Sequence, residues 1–116
     1  MPAPRILIVD DNRNLAEGLE TMVDLHMDDV TVDLAFTAQA ALEKAAAAVP
    51  SLVILDVNLP DMPGRAVFDA LRERYPQTPV ILLTGEGTPP DWPGAADRLT
   101  KPVAPVALRT VLGRYL

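Results

Sequence analysis

Three short runs along the chain are apolar without a break, and each stops at a polar residue: Ile6-Leu7-Ile8-Val9 at Asp10-Asp11, Leu52-Val53-Ile54-Leu55 at Asp56, and Val80-Ile81-Leu82-Leu83 at Thr84. Runs of this length that are apolar on both faces suit strands covered on both sides, the condition of a parallel sheet. Thr31-Val32-Asp33-Leu34-Ala35 alternates more and reads as an edge strand. Between the strands the period changes. Leu15, Leu19, Met22 and Val23 recur at spacings of three and four, as do Val67, Phe68, Leu71 and Tyr75, which is the stripe of a helix packed on one side. Residues Ala38 to Val49 are rich in Ala, a strong helix former, with Thr37 as N-cap candidate. Pro105 fits the first turn of a last helix whose apolar face is Val111, Leu112 and Tyr115. The order is βαβαβαβ, then a stretch without a clear pattern, then α.

Such alternation predicts an α/β fold, a doubly wound parallel sheet with helices on both faces and right-handed crossovers. In these sheets ligands bind beyond the carboxyl ends of the strands where the winding direction reverses, which for strand order 2-1-3-4-5 lies between strands 1 and 3. Asp10, Asp11 and Asp56 then converge at one place. The chain shows no linker, repeat or low-complexity tail, so residues 1–116 are expected to form a single domain.

Composition narrows the class of function. With 116 residues, 49% of them hydrophobic, the chain can bury a core without metal or disulfide staples. It has no Cys, so disulfides, thiolate zinc sites and thiol catalysis are excluded, and a reducing, cytoplasmic setting is expected. No apolar stretch approaches the roughly 20 residues that span a bilayer, and the start lacks a signal-peptide pattern, so no membrane partner is expected. A net charge of -6 argues against nucleic acid as a partner, since that affinity rests on clustered Lys and Arg. Twelve Pro would suit either disorder or many short connections. Pro50, Pro60, Pro63, Pro76, Pro79, Pro102 and Pro105 all fall between proposed elements or at helix starts, which favours the connections.

Three carboxylates in one place repel each other unless a cation sits among them. An all-oxygen site favours a hard divalent ion, and Mg2+ accepts few carboxylates and completes its shell with water and phosphate. An Asp carboxylate is itself a nucleophile for phosphorus, and transfer to it needs charge neutralised on the phosphoryl oxygens by a metal, a cation and hydroxyl or amide donors. Thr84 offers the hydroxyl and Lys101, one of only two Lys, the cation.

With Asp10-Asp11, Asp56 in Ile-Leu-Asp-Val-Asn-Leu-Pro-Asp-Met-Pro-Gly, Thr84 in Val-Ile-Leu-Leu-Thr-Gly, and Lys101-Pro102, the chain from Arg5 to Tyr115 resembles the CheY-like receiver domain of two-component response regulators. The resemblance implies a flavodoxin-like fold of five parallel strands. It also implies that Asp56 is a phosphoacceptor supplied by a histidine kinase or histidine phosphotransfer protein, and that the phosphoryl-Asp switches an unknown downstream protein. Asp10, Asp11, Asp56 and the backbone carbonyl of Asn58 would hold Mg2+, Thr84 would bond the phosphoryl oxygen, and Lys101 would pair with it. The Lys101-Pro102 bond is expected to be cis. Asn58 and Glu86 stand at the two positions that tune phosphoryl lifetime in this family, and as polar groups they predict a short-lived phosphoryl-Asp. Such a domain catalyses only its own phosphorylation and dephosphorylation and is not an enzyme with a separate substrate.

Two features depart from the family. Only 16 residues, Gly85 to Thr100, stand where the family fits its fourth helix and fifth strand with their loops. A mean helix and strand already exceed that number. Gly85 to Gly94 also carries three Pro and three Gly, so the fourth helix is missing or reduced, with Trp92 in the Gly/Pro loop that replaces it. Three positions before Lys101, where many receivers have a switching aromatic, stands Arg98. The expected switch is then an order-to-disorder change of the loop after Thr84, with Trp92 either covering apolar surface or contacting a partner. Two other functions compete. A haloacid-dehalogenase-like phosphatase needs an acid/base Asp two after its nucleophile, and Asn58 is there instead; a receiver-shaped scaffold that signals without phosphorylation leaves the acidic cluster without purpose.

Overall fold

The apolar runs form the middle of a five-stranded parallel sheet. The computed structural model describes residues 3–85 and 92–116. In chain order its elements are β1 (Arg5–Val9), α1 (Arg13–His26), β2 (Thr31–Ala35), α2 (Ala38–Ala47), β3 (Leu52–Asp56), α3 (Gly64–Arg74), β4 (Val80–Thr84), β5 (Asp97–Thr100) and α4 (Pro105–Tyr115). The strand order is β2-β1-β3-β4-β5. Every residue of β3 and β4 is buried, which is why these strands read as unbroken apolar runs, whereas β2 at one edge is fully buried only at Ala35.

Successive side chains of a strand point to opposite faces, and the core divides accordingly. Ile6 and Ile8, Leu52 and Ile54, and Ile81 and Leu83 face α1 and α4 through Leu19, Val23, Leu108 and Val111. Leu7 and Val9, Val53 and Leu55, and Val80 and Leu82 face α2 and α3 through Ala41, Ala45, Val67 and Phe68. The Ala-rich pattern of α2 thus brings its backbone close to the sheet. Asn12 caps α1 by accepting from Leu15 N at 3.1 Å, and Thr37 caps α2 by accepting from Ala40 N at 3.1 Å. Pro105 opens α4, and Pro63 directly precedes α3.

The stretch without a clear sequence pattern contains β5. This edge strand buries one residue, Leu99, so neither an apolar run nor a regular alternation marks it. Its register pairs Leu83 with Leu99 and Thr84 with Thr100. Before β5, Gly85 and residues 92–96 lie outside any helix, while the central part of the proposed Gly/Pro loop, Glu86 included, lies outside the described residues. Trp92 is half-buried against α3, its ring 5.4 Å from that of Phe68. It covers apolar surface on the face of the sheet that carries α2 and α3. Arg65 lies over both rings, at 5.9 Å from Phe68 and 5.8 Å from Trp92. Arg98 is exposed on β5, in register with Leu82.

Candidate functional site

β1 and β3 are neighbours with Val9 opposite Leu55, so Asp10 and Asp56 emerge side by side at the carboxyl edge. The winding direction reverses there, because β2 lies beyond β1 while β4 and β5 lie beyond β3. Asp10 extends the sheet ladder, its N–H donating to Ala35 O at 3.0 Å. Asp10 and Asp56 are buried, while Asp11 is exposed. Each of the three presents a carboxylate oxygen within 4.8 Å of the others. The sheet thus assembles the predicted acidic cluster.

Lys101 reaches it from the turn after β5. Its Nζ lies 2.9 Å from Asp56 Oδ2 and 3.2 Å from Asp10 Oδ2. The turn is held by Lys101 N donating to Thr84 O at 2.7 Å, and the Lys101-Pro102 peptide bond is cis, as the resemblance implied. The remaining carboxylate oxygens accept local backbone bonds: Asp10 Oδ1 from Asn12 N and Asp56 Oδ1 from Asn58 N, both at 2.9 Å. Thr84 ends β4 one residue beyond Leu83, the register partner of Asp56, and its buried hydroxyl donates to Leu99 O at 3.5 Å.

The electrostatics of the cluster are those of an acidic pair held by one cation. Burial, reinforced by the charge of Asp56, raises the Asp10 carboxyl above its ordinary value against the lowering effect of the Asn12 N–H and Lys101. Burial also works against the charge of Lys101, but its bonds to Asp56 and Asp10 outweigh burial and hold the ammonium pKa above the ordinary lysine value. Asp10 Oδ2 is buried and accepts no well-aligned hydrogen bond, relying on the charge of Lys101. Two buried carboxylates, a third at the rim and an oxygen without a hydrogen bond fit a hard divalent cation such as Mg2+.

Asp61 and Gly64, in the segment after Asp56, carry structural tasks that no local pattern signals. Asp61 Oδ1 accepts from Ala38 N at 2.8 Å and Oδ2 from Gln39 N at 3.0 Å, at the start of α2. Gly64 packs so closely that a Cβ there would lie 2.1 Å from Val57 O. Their partners are distant in sequence or made of backbone, so only the Asp-Met-Pro-Gly composition hinted at an ordered turn. His26 is exposed at the end of α1, away from the cluster.

Comparison with known proteins agrees with this geometry. Residues 6–113 match the family model of the response regulator receiver domain. The chain is 39% identical over 119 residues to the response regulator protein FleR of Pseudomonas aeruginosa, covering 97% of this chain and 24% of that protein. It is 38% identical over 107 residues to the transcriptional regulatory protein YkoG of Bacillus subtilis, covering 88% of this chain and 46% of that one. The chain therefore spans a quarter to about half the length of these curated relatives. Among solved structures, the chemotaxis response regulator CheY4 of Vibrio cholerae superposes with a TM-score of 0.85 at 30% identity, covering 98% of this chain and 99% of that one. The receiver domain of a LuxO repressor protein from Vibrio parahaemolyticus gives 0.86 at 30% identity, covering 97% and 89%.

Proposed function

The chain belongs to the response regulator receiver domain family, and from that premise we propose that Asp56 is its phosphoacceptor, taking a phosphoryl group from a histidine kinase or histidine phosphotransfer protein. The observation that carries the reading is the contact of Asp56 Oδ2 with Lys101 Nζ at 2.9 Å inside the acidic cluster at the winding reversal. An Asp carboxylate attacks the phosphorus of the donor's phosphohistidine; the new O–P bond forms as the N–P bond breaks, and the imidazole nitrogen leaves with the electron pair. Asp56 is oriented for this by the Asn58 N–H on one oxygen and Lys101 on the other. Lys101 then remains beside the incoming negative charge, and Thr84 supplies a hydroxyl from the adjacent strand end.

Asp10, Asp11, Asp56 and the Asn58 carbonyl would hold Mg2+, which when bound neutralises charge on the phosphoryl oxygens. The domain accepts phosphate and passes on a change of interaction surface rather than turning over a separate substrate. Residues 1–116 act in this reading as one receiver unit, and the cysteine-free composition suits a cytoplasmic setting. Asn58 lies exposed beside the acceptor and supports a short-lived phosphoryl-Asp.

Incubation with acetyl phosphate and Mg2+ tests the reading by intact mass. A gain of one phosphoryl group in the native chain and none in Asp56→Asn supports it; equal labelling of both places the acceptor elsewhere. Retention of cellular signalling by Asp56→Asn would favour the phosphorylation-independent scaffold.

A further inference from the structure

We propose that Asp61 is a positioning residue of the phosphorylation site, tying the segment that carries Asp56 and Asn58 to the start of α2 and so holding the site in its cation-binding shape. The inference rests on the phosphoacceptor reading for its purpose, and its own geometry adds the two bonds that Asp61 accepts from Ala38 N and Gln39 N.

Together with the bonds of the site they form a closed circuit through the acidic cluster. Asp10 N donates to Ala35 O at 3.0 Å, and three residues further on Ala38 N donates to Asp61 Oδ1 at 2.8 Å. Asn58, three residues before Asp61, donates to Asp56 Oδ1 at 2.9 Å. Asp56 Oδ2 meets Lys101 Nζ at 2.9 Å, and Lys101 returns to Asp10 Oδ2 at 3.2 Å. Asp61 is the one side chain in the circuit that joins the segment after β3 to the start of α2, across 23 and 22 positions of sequence.

The rest of that segment is fixed at its two ends. Val57 N donates to Leu83 O at 3.2 Å, and Gly64 is packed on Val57. Between them Asn58, Pro60 and Met62 are exposed, and Asp61 binds the stretch to the body of the domain. Asp61 is itself exposed, yet its carboxyl is held below the ordinary value by the N–H groups of Ala38 and then Gln39, so it accepts as a full anion. Thr37 satisfies a different N–H of the same turn, that of Ala40, so the two side chains divide the capping of α2 between them.

Thr37 supplies the control for the experiment. Asp61→Ala and Thr37→Ala each remove a side-chain cap of α2, and only the first releases the segment bearing Asn58. We expect both to lower Tm to a similar extent. Asp61→Ala should weaken Mg2+ binding, followed through backbone amide shifts of Val57 and Asn58 on titration, by about tenfold, as for supports of metal ligands generally. Thr37→Ala should leave it within error, and Asp61→Asn, which keeps one acceptor oxygen, should lose less than Asp61→Ala. The Asn variant carries the comparison if the Ala variant does not fold. Equal Mg2+ affinities in the Asp61 and Thr37 variants would overturn the proposal and leave Asp61 a helix cap. Intact Mg2+ binding by a native chain that takes up no phosphoryl group would instead overturn the phosphoacceptor reading, and a native chain that binds no Mg2+ would overturn both.

Discussion

Lys101 Nζ stands 2.9 Å from Asp56 Oδ2 although 45 positions separate the two residues. The same ammonium lies 3.2 Å from Asp10 Oδ2, so one cation is shared between two buried carboxylates and leaves a net negative charge between them. Opposite charges this close are stabilising only where each also has its hydrogen bonds, and here Asn12 N and Asn58 N supply them.

Replacing Lys101 by Ala leaves two buried anions facing each other. The expected cost is about 1–3 kcal/mol in denaturant melts without divalent cation, below the full penalty of an orphaned buried charge because the Lys101 side chain is 28% exposed. Mg2+ should restore part of the loss. The raised pKa of Lys101 sets the alkaline behaviour of the native chain. Its contribution is fully present below the ordinary lysine pKa and is lost as pH rises through the raised value. The difference between native chain and variant should therefore narrow at strongly alkaline pH.

Asp10 has the opposite consequence for stability. Its carboxyl is raised, chiefly by burial, so the folded state holds this proton more tightly than the unfolded chain does. The penalty of its charge is complete above the raised pKa and vanishes as pH falls below the ordinary carboxylate value. Asp10→Asn is expected to be more stable than the native chain at pH 7 in EDTA and to lose that advantage near pH 3. Added Mg2+ should favour the native chain instead. Denaturation at the two pH values, with and without the ion, checks both signs.

Gly64→Ala places a Cβ 2.1 Å from Val57 O, a backbone atom that cannot swing aside. Relief requires a shift of the segment after Asp56, at a cost of roughly 1–3 kcal/mol. Acetyl phosphate labelling should slow along with the fall in Tm. Gly18→Ala, at a helical glycine with open space around the added methyl, should keep the native labelling rate and is the matched control.

Trp92→Ala removes a half-buried ring that contacts Phe68 and lies beneath Arg65. A loss of roughly 1–3 kcal/mol is expected from apolar burial and the aromatic pair. Asp56 and Lys101 lie at the carboxyl edge of the sheet, so labelling with acetyl phosphate should continue. Trp92 is the only Trp, and its emission reports this patch selectively. A change on adding beryllofluoride with Mg2+ would link the patch to the site, and constant emission would exclude it as the readout.

Elements buried on both faces were legible because burial leaves its mark on every residue. Leu52 to Leu55 and Val80 to Leu83 read as strands for that reason. The edge strand Asp97–Thr100 did not, since Leu99 alone meets the core. Caps such as Thr37 and Asn12 were within reach of local pattern because donor and acceptor are three residues apart. Asp61 caps the same helix as Thr37 from 23 residues away, and no local rule connects it to Ala38.

The sequence by itself therefore determined the alternation of strands and helices, the strand-end positions of Asp10, Asp56 and Thr84, and the presence of Lys101-Pro102, because periodicity and local chemistry act over a few residues. Tertiary structure alone decided that Lys101 is shared between Asp10 and Asp56, that Asp61 closes the circuit around them, and that Trp92 lies on Phe68. Each of those contacts joins residues brought together by the parallel crossovers, and their energies depend on distances that the order of residues does not contain.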